Sequence, residues 1–280
     1  MGAIVKTVCT SLPSPGLSYR DRGSEAVKKC LEKEANKLEA LDVLISTGIY
    51  TDEHMHEPAF ASLIQGRLSK FYSEKLKGTF SFDLHNGGGG SLMALRICSG
   101  FVASGKMQHG VIVAGDAAPV GGPAGALLLG KGSAGEGFFD FGQDSYPRYS
   151  GDYESYAAFT GKELRTFIHQ DKAYLKHQLL CVKKSIHNFL SERAIGLDEI
   201  DLIIPSQHPP GFVAGLAKHY GKERLIELEQ THNSYSAGFI LALAEAHTRG
   251  VFRTSKQILC VHAGPGITVE LALYIQSLDP

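Results

Sequence analysis

The chain is predicted to be an α/β protein built from two similar halves. Three observations carry this: helical and strand patterns alternate along all 280 residues, one helix-to-strand passage is written twice, and each half closes on a glycine–proline turn before an apolar strand. The composition is that of a soluble globular protein, 43% hydrophobic and 20% charged, slightly rich in glycine. The length admits two domains or one duplicated one. We place the halves at 1–161, including a connecting loop region at 130–161, and at 162–280.

In order, residues 23–41 are charged with apolar residues at helical spacing, which predicts a helix. Asp42-Val43-Leu44-Ile45-Ser46, ending in Thr47-Gly48, predicts a buried strand. Phe82-Asp83-Leu84 is a strand leading through His85-Asn86 into a glycine- and alanine-rich helix that ends at Ser104-Gly105. A strand at 111–114 follows, then the turn Gly122-Pro123-Ala124-Gly125 and a strand at 126–129. Residues 130–161 show little periodicity and read as a loop, a lid or an interface segment.

The second half repeats the pattern. Residues 181–194 are amphipathic, Gly196-Leu197 breaks them, and Ile200-Asp201-Leu202-Ile203-Ile204-Pro205 is the matching strand. Leu228-Glu229-Gln230-Thr231 leads through His232-Asn233 into a helix ending at Arg249-Gly250, before a strand at 258–261. The spacing from Asn86 to Val111 equals that from Asn233 to Ile258. Gly264-Pro265-Gly266 then opens the last strand, 267–274.

Several function classes are excluded. A formal net charge of −1 gives no electrostatic footprint for nucleic acid or an anionic membrane. The five cysteines are scattered and never spaced as CxxC, so neither a disulfide framework nor a zinc site is written, and a reducing cytoplasm is expected. The apolar stretches are too short to span a membrane, and neither secretion nor membrane insertion is expected. No cysteine is expected to be an activated thiolate; Cys98 reads as a buried helix residue.

Ile200-Asp201-x-x-x-Pro205-x-Gln207, the Asn233-x-x-Ser236-Ala237 turn and the Gly264-x-Gly266 loop resemble ketoacyl synthase III of the thiolase superfamily, a likeness covering about 41–116 and 164 to the C-terminus. The resemblance implies a five-layered αβαβα fold with a pseudo-twofold axis. It also implies a cysteine at the start of the first buried helix, with a histidine and an asparagine from the second half binding the thioester carbonyl. In register, the cysteine position falls on Gly88 and the histidine on Ser206, and only the asparagine is kept, as Asn233. Neither a Thr-Arg-Thr-Gly-Ile stretch nor a tryptophan, which the resemblance implies for clasping coenzyme A, stands before Asp42.

His85 and His232 stand in equivalent turns and, with His208 two residues past Ser206, are candidate replacement bases, although each is as readily a structural histidine. Asn86 and Asn233 read equally as helix caps. Gly87 to Gly90 allow a tight turn and close helix approach, and Ser91 lies one helical turn beyond Gly88. Asp52-Glu53-His54-Met55-His56-Glu57 reads as a solvated loop, and no metal site is expected. Lys172, Lys176, Lys183 and Lys184 form a basic stripe suited to an acidic carrier protein.

The expectation is a catalytically degenerate subunit of fatty-acid, polyketide or alkylquinolone-type metabolism supporting an active condensing enzyme. The alternatives are acyl transfer, decarboxylation or hydrolysis without a cysteine acyl-enzyme, and a non-catalytic binding homodimer. No permanently bound cofactor is expected; acyl-coenzyme A or a phosphopantetheine carrier protein are the implied ligands. The resemblance further implies a homodimer, or a heterodimer with an active ketosynthase III, formed through the strand at 111–114.

Overall fold

A computed structural model describes residues 2–14, 16–229 and 234–277. The first half runs β1 (Ala3–Ser11), α1 (Tyr19–Lys33), β2 (Val43–Ser46), α2 (Phe60–Leu76), β3 (Phe80–Asp83), α3 (Gly90–Ala103), β4 (His109–Ala114) and β5 (Ala124–Lys131). Next come β6 (Gly137–Ser145) and a hairpin of β7 (Tyr153–Thr160) and β8 (Glu163–Gln170). The second half adds α4 (Tyr174–Glu192), β9 (Leu202–Pro205), α5 (Phe212–Tyr220), α6 (Gly238–Thr248), α7 (Val251–Thr254), β10 (Gln257–Gly264) and β11 (Thr268–Ile275).

The strands lie in the order β3-β2-β4-β5-β1-β6-β11-β10-β9, with the two halves of the sheet joined where Ala3 stands opposite Phe138. Helices α1 and α2 pack on the outer face of the β3-to-β1 half, while α4 packs on β6, β10 and β11. Between them, α3 and α6 contribute to one apolar cluster that includes Leu95, Cys98, Ile240 and Leu243. Two further clusters fill the outer interfaces, one around Tyr19, Leu44 and Ile64, the other around Ile186, Ile203 and Phe212. The result is five layers, helix–sheet–helix–sheet–helix, each apolar face buried against the next.

The halves correspond strand for strand. β2, β4, β5 and β1 in one match β9, β10, β11 and β6 in the other, with parallel and antiparallel pairings in the same places. The counterpart of β3 is reduced to one parallel bridge between Ile203 and Leu225, and Leu228 and Glu229 form no strand.

The connecting region predicted at 130–161 is not a loop. It holds β6, which pairs with β11 along its whole length, and β7. Glycines conceal β6 from a pattern reading: at Gly142 a Cβ would come 2.5 Å from the Phe189 ring, so α4 packs directly on the strand backbone. The boundary placed at 161/162 falls in the turn of the β7–β8 hairpin.

Nor is the strand at 111–114 free to dimerise, because β4 pairs with both β2 and β5 and Val111 is fully buried. The exposed edge is β3, where Phe80 is 58% accessible. Among the described residues no helix is long and apolar enough to cross a membrane.

Candidate functional site

The chain leaves β3 and enters α3 through Gly87 and Gly88, at φ +48° and +85°, a left-handed path that glycine takes without strain. The Gly89 amide donates to the Asn86 carbonyl at 2.7 Å, closing the turn. Asn86 does not cap the helix; its side-chain amide donates to the Glu270 carboxyl instead, and Gly89 takes the cap position.

Glu270 on β11 stands directly opposite His262 on β10. Both side chains point toward the start of α3. A Cβ at Gly89 would lie 2.6 Å from His262 Cδ2, 2.8 Å from Glu270 Oε2 and 3.0 Å from His262 Nε2. At Gly88 it would lie 3.4 Å from the Tyr235 ring and 3.5 Å from His262 Cε1. The glycines thus let an imidazole edge and a carboxyl press against the helix entrance.

His262 is 5% and Glu270 4% exposed, and neither His262 Nε2 nor Glu270 Oε2 has a hydrogen-bond partner. Burial pushes Glu270 up to about 8, against the opposing Asn86 bond and the Arg96 charge. Burial, with the neighbouring His208, pushes His262 down to about 3, while the Gly87 backbone works the other way. Burial thus favours the uncharged form of both groups.

His208 joins this site. Its ring meets Tyr235 edge-on at 4.9 Å and Tyr153 at 6.1 Å, its Nε2 is unpartnered, and burial lowers its pKa to about 4. Ser206 is buried nearby, its amide donating to Val261 at 2.8 Å and its hydroxyl unpartnered. Gln207 pins the loop: its amide donates to the Pro205 and Ile226 carbonyls, and its Oε1 accepts the Leu228 N–H.

Other candidates go elsewhere. His85 is exposed, just before the tight turn that begins at Asn86. Asn233 and His232 lie outside the described residues. The Ser91 hydroxyl is buried against Thr47 at 3.0 Å. Asp52 caps α1 by accepting the Tyr19 and Arg20 amides, and among the described residues no group of three or more metal-ligating side chains is assembled.

The cysteines divide. Burial pushes Cys98 up to about 12, an inert thiol. Cys9 departs from the other thiols: Cys30 first, against burial and with help from Lys33, lowers it to about 6. It lines a cavity of about 900 Å³ together with Lys6, Lys29, Lys33 and Arg253.

His262 and Glu270 were missed by sequence reasoning. The available signal was a single polar residue in each of two apolar strands, Ile-Leu-Cys-Val-His-Ala and Val-Glu-Leu-Ala-Leu, where alternation alone would not bury it.

No known family profile matches the chain. It is 22% identical to the β-ketoacyl-[acyl-carrier-protein] synthase III of Caldanaerobacter subterraneus subsp. tengcongensis, over 92% of this chain and 83% of that one. It is 24% identical to the enzyme of the same name from Deinococcus deserti, over 89% and 75%. In structure it matches 3-oxoacyl-(acyl carrier protein) synthase III of Pseudomonas aeruginosa at a TM-score of 0.83 and 19% identity, covering all of both chains. A variant of Xanthomonas campestris OleA matches at 0.84 and 13% identity, over 99% of each. The layered architecture described above is the one these structures share.

Proposed function

We propose that this ketoacyl synthase III-like protein, of thiolase-like fold, serves acyl-thioester metabolism without a cysteine acyl-enzyme, as a subunit that completes a condensing partner retaining the cysteine. The carrying observation is Gly88. It holds the nucleophile position in our register, has no side chain to acylate, and sits at φ +85° beneath the Tyr235 and His262 rings. The accessible β3 edge, with Phe80 outward, supports pairing with a second subunit. Lys172, Lys176 and Lys184 are exposed and Lys183 half-buried, which supports docking of an acidic acyl carrier protein.

The test is intact mass after incubation with acyl-coenzyme A, together with co-purification beside a cysteine-bearing ketosynthase III. We expect no covalent adduct and a stable heterodimer. A stoichiometric thioester on any cysteine, or a monomer indifferent to every such partner, overturns the reading.

A second reading, direct acyl transfer, decarboxylation or hydrolysis, draws on the unpartnered polar atoms of His208, His262 and Glu270 around Gly88. It requires sequential rather than ping-pong kinetics. The third, a binding homodimer without turnover, requires acyl or carrier-protein binding with neither partner nor product.

A further inference from the structure

β1 meets β6 only at Ala3, and beside the edge left free beyond that point lies the cavity of about 900 Å³. It is separate from the Gly88 site. From Glu270 beside Gly89 to Tyr274 in the cavity wall, β11 advances about 13 Å, and the start of α6 touches Gln207 while its last turn lines the cavity. Three elements send cations to it, Lys6 from β1, Lys33 from α1 and Arg253 from α7, all exposed. Among the described residues none of the three has a carboxylate within ion-pair distance. A fourth cation, Lys29, is taken by Glu25 at 2.9 Å and the Thr10 carbonyl at 3.1 Å, and the acid in the lining, Glu32, is shared with Lys28 at 3.7 Å.

Like charges gathered without a counter-charge repel one another, and their common field acts on two groups of the cavity wall. Burial lowers the His247 pKa to about 4, with Arg253 and then Lys33 adding to it, and Lys33 also helps to lower Cys9. A proton is disfavoured on one and an anion favoured on the other, so the field has one sign. The duplicated half resolves the same position differently. At the end of α4, Arg193 meets Asp140 of β6 at 2.7 Å, whereas β1 carries no acid to meet Lys33 at the end of α1.

We propose that this cavity binds a small molecule bearing a phosphate ester, with Lys6, Lys33 and Arg253 on the phosphate oxygens. The site is independent of the acyl-thioester reading. A phosphate ester brings a charge of about −1.5 to −2 and three acceptor oxygens, enough to engage all three cations, where a carboxylate brings a single charge and two oxygens. Val8, Phe252 and Tyr274 give the cavity an apolar wall for the carbon body of the ester, and its volume is that of a small-molecule site. A peptide strand added to β1 fits less well, because the Val5 N–H already donates to the Tyr274 hydroxyl and the Thr10 carbonyl already accepts from Lys29.

The experiment titrates the full chain with phenyl phosphate in a calorimeter, at a constant ionic strength of about 0.15 M, and follows carbamidomethylation of Cys9 in the same solutions. Phenyl phosphate should bind about tenfold more tightly than benzoate or inorganic phosphate. It should also slow the labelling of Cys9, because it fills the cavity and its charge opposes the thiolate. Lys6→Gln combined with Arg253→Gln should lower the affinity about tenfold, with the fold confirmed by circular dichroism. Benzoate binding as tightly overturns the phosphate assignment, and inorganic phosphate binding as tightly overturns the ester. No binding at millimolar phenyl phosphate, or binding that the double substitution leaves unchanged, overturns the site. Unslowed labelling of Cys9 places the ligand elsewhere and overturns it too.

Discussion

Asp116 and Ser236 tie the two halves together through one buried carboxylate. The Ser236 amide donates to one oxygen and its hydroxyl to the other, both at 2.8 Å, while the Ile49 and Tyr50 amides add bonds at 3.1 and 3.2 Å. Asp116 follows β4 and Ser236 leads into α6, so the contact fixes the second buried helix against the first sheet. Burial raises the Asp116 pKa, and these four donors oppose it.

Removing that acceptor leaves several buried donors unpaired. Asp116→Ala should therefore destabilise the protein by roughly 3 kcal/mol, whereas Ser236→Ala, which deletes a single hydroxyl, should cost about 1 kcal/mol. Urea unfolding measures both, and equal losses would show that Ser236 alone carries the link.

Stability should peak near neutral pH. His208, His247 and His262 are lowered by burial to about 4, about 4 and about 3, so the unfolded chain binds more protons and stability rises with pH toward about 6.5. Glu270, raised to about 8, acts in the opposite sense: the folded chain holds the extra proton, and this contribution is lost as pH climbs from the unfolded carboxyl range toward 8. Above about 6.5 only the second effect remains among these groups. Glu270→Gln should flatten the decline between about 6.5 and 8 in a series of thermal melts, and an unaltered slope would assign it to another group.

Cys9 should be the first of the five cysteines to be carbamidomethylated. With a thiol pKa near 6 and an open cavity beside it, it should react with iodoacetamide around pH 7, while Cys98 and Cys260 stay protected. Lys33→Met should slow the reaction. Peptide mapping reads the order, and simultaneous labelling of Cys9 and Cys98 would indicate unfolding instead.

Gly88→Cys should not restore a nucleophile by itself. Its Cβ would meet only ordinary contacts, but a residue with a side chain at φ +85° costs on the order of 1–2 kcal/mol. Gly89→Ala should be worse, because its Cβ collides with the His262 ring and the Glu270 carboxyl. A Gly88→Cys protein as stable as wild type, and acylated by acyl-coenzyme A, would make position 88 an eroded nucleophile site that a single residue repairs.

The sequence revealed elements wherever hydrophobicity ran uninterrupted. The apolar cores of β2, β4 and β9 coincide with the predicted strands because these are buried on both faces. β1 escaped notice because Lys6, Thr7 and Thr10 interrupt it where it borders the large open cavity. Gly88 was reached only through the family resemblance, by laying its register from Phe82-Asp83 to Ser104-Gly105. The acid–imidazole pair beside it was not legible, since cross-strand register between His262 and Glu270 exists only once β10 and β11 are paired.

The position of β6 sets how the molecule can be divided. A cut in the turn between Gly161 and Lys162 leaves β6 on the N-terminal fragment, although eight of its residues pair with β11 of the other. The C-terminal fragment then presents β11 as an open edge, and the N-terminal fragment carries a strand that lacks its main neighbour. The two pieces are a split protein by construction, each supplying the other's missing strand, so co-expressed fragments should reassemble where either one alone would aggregate.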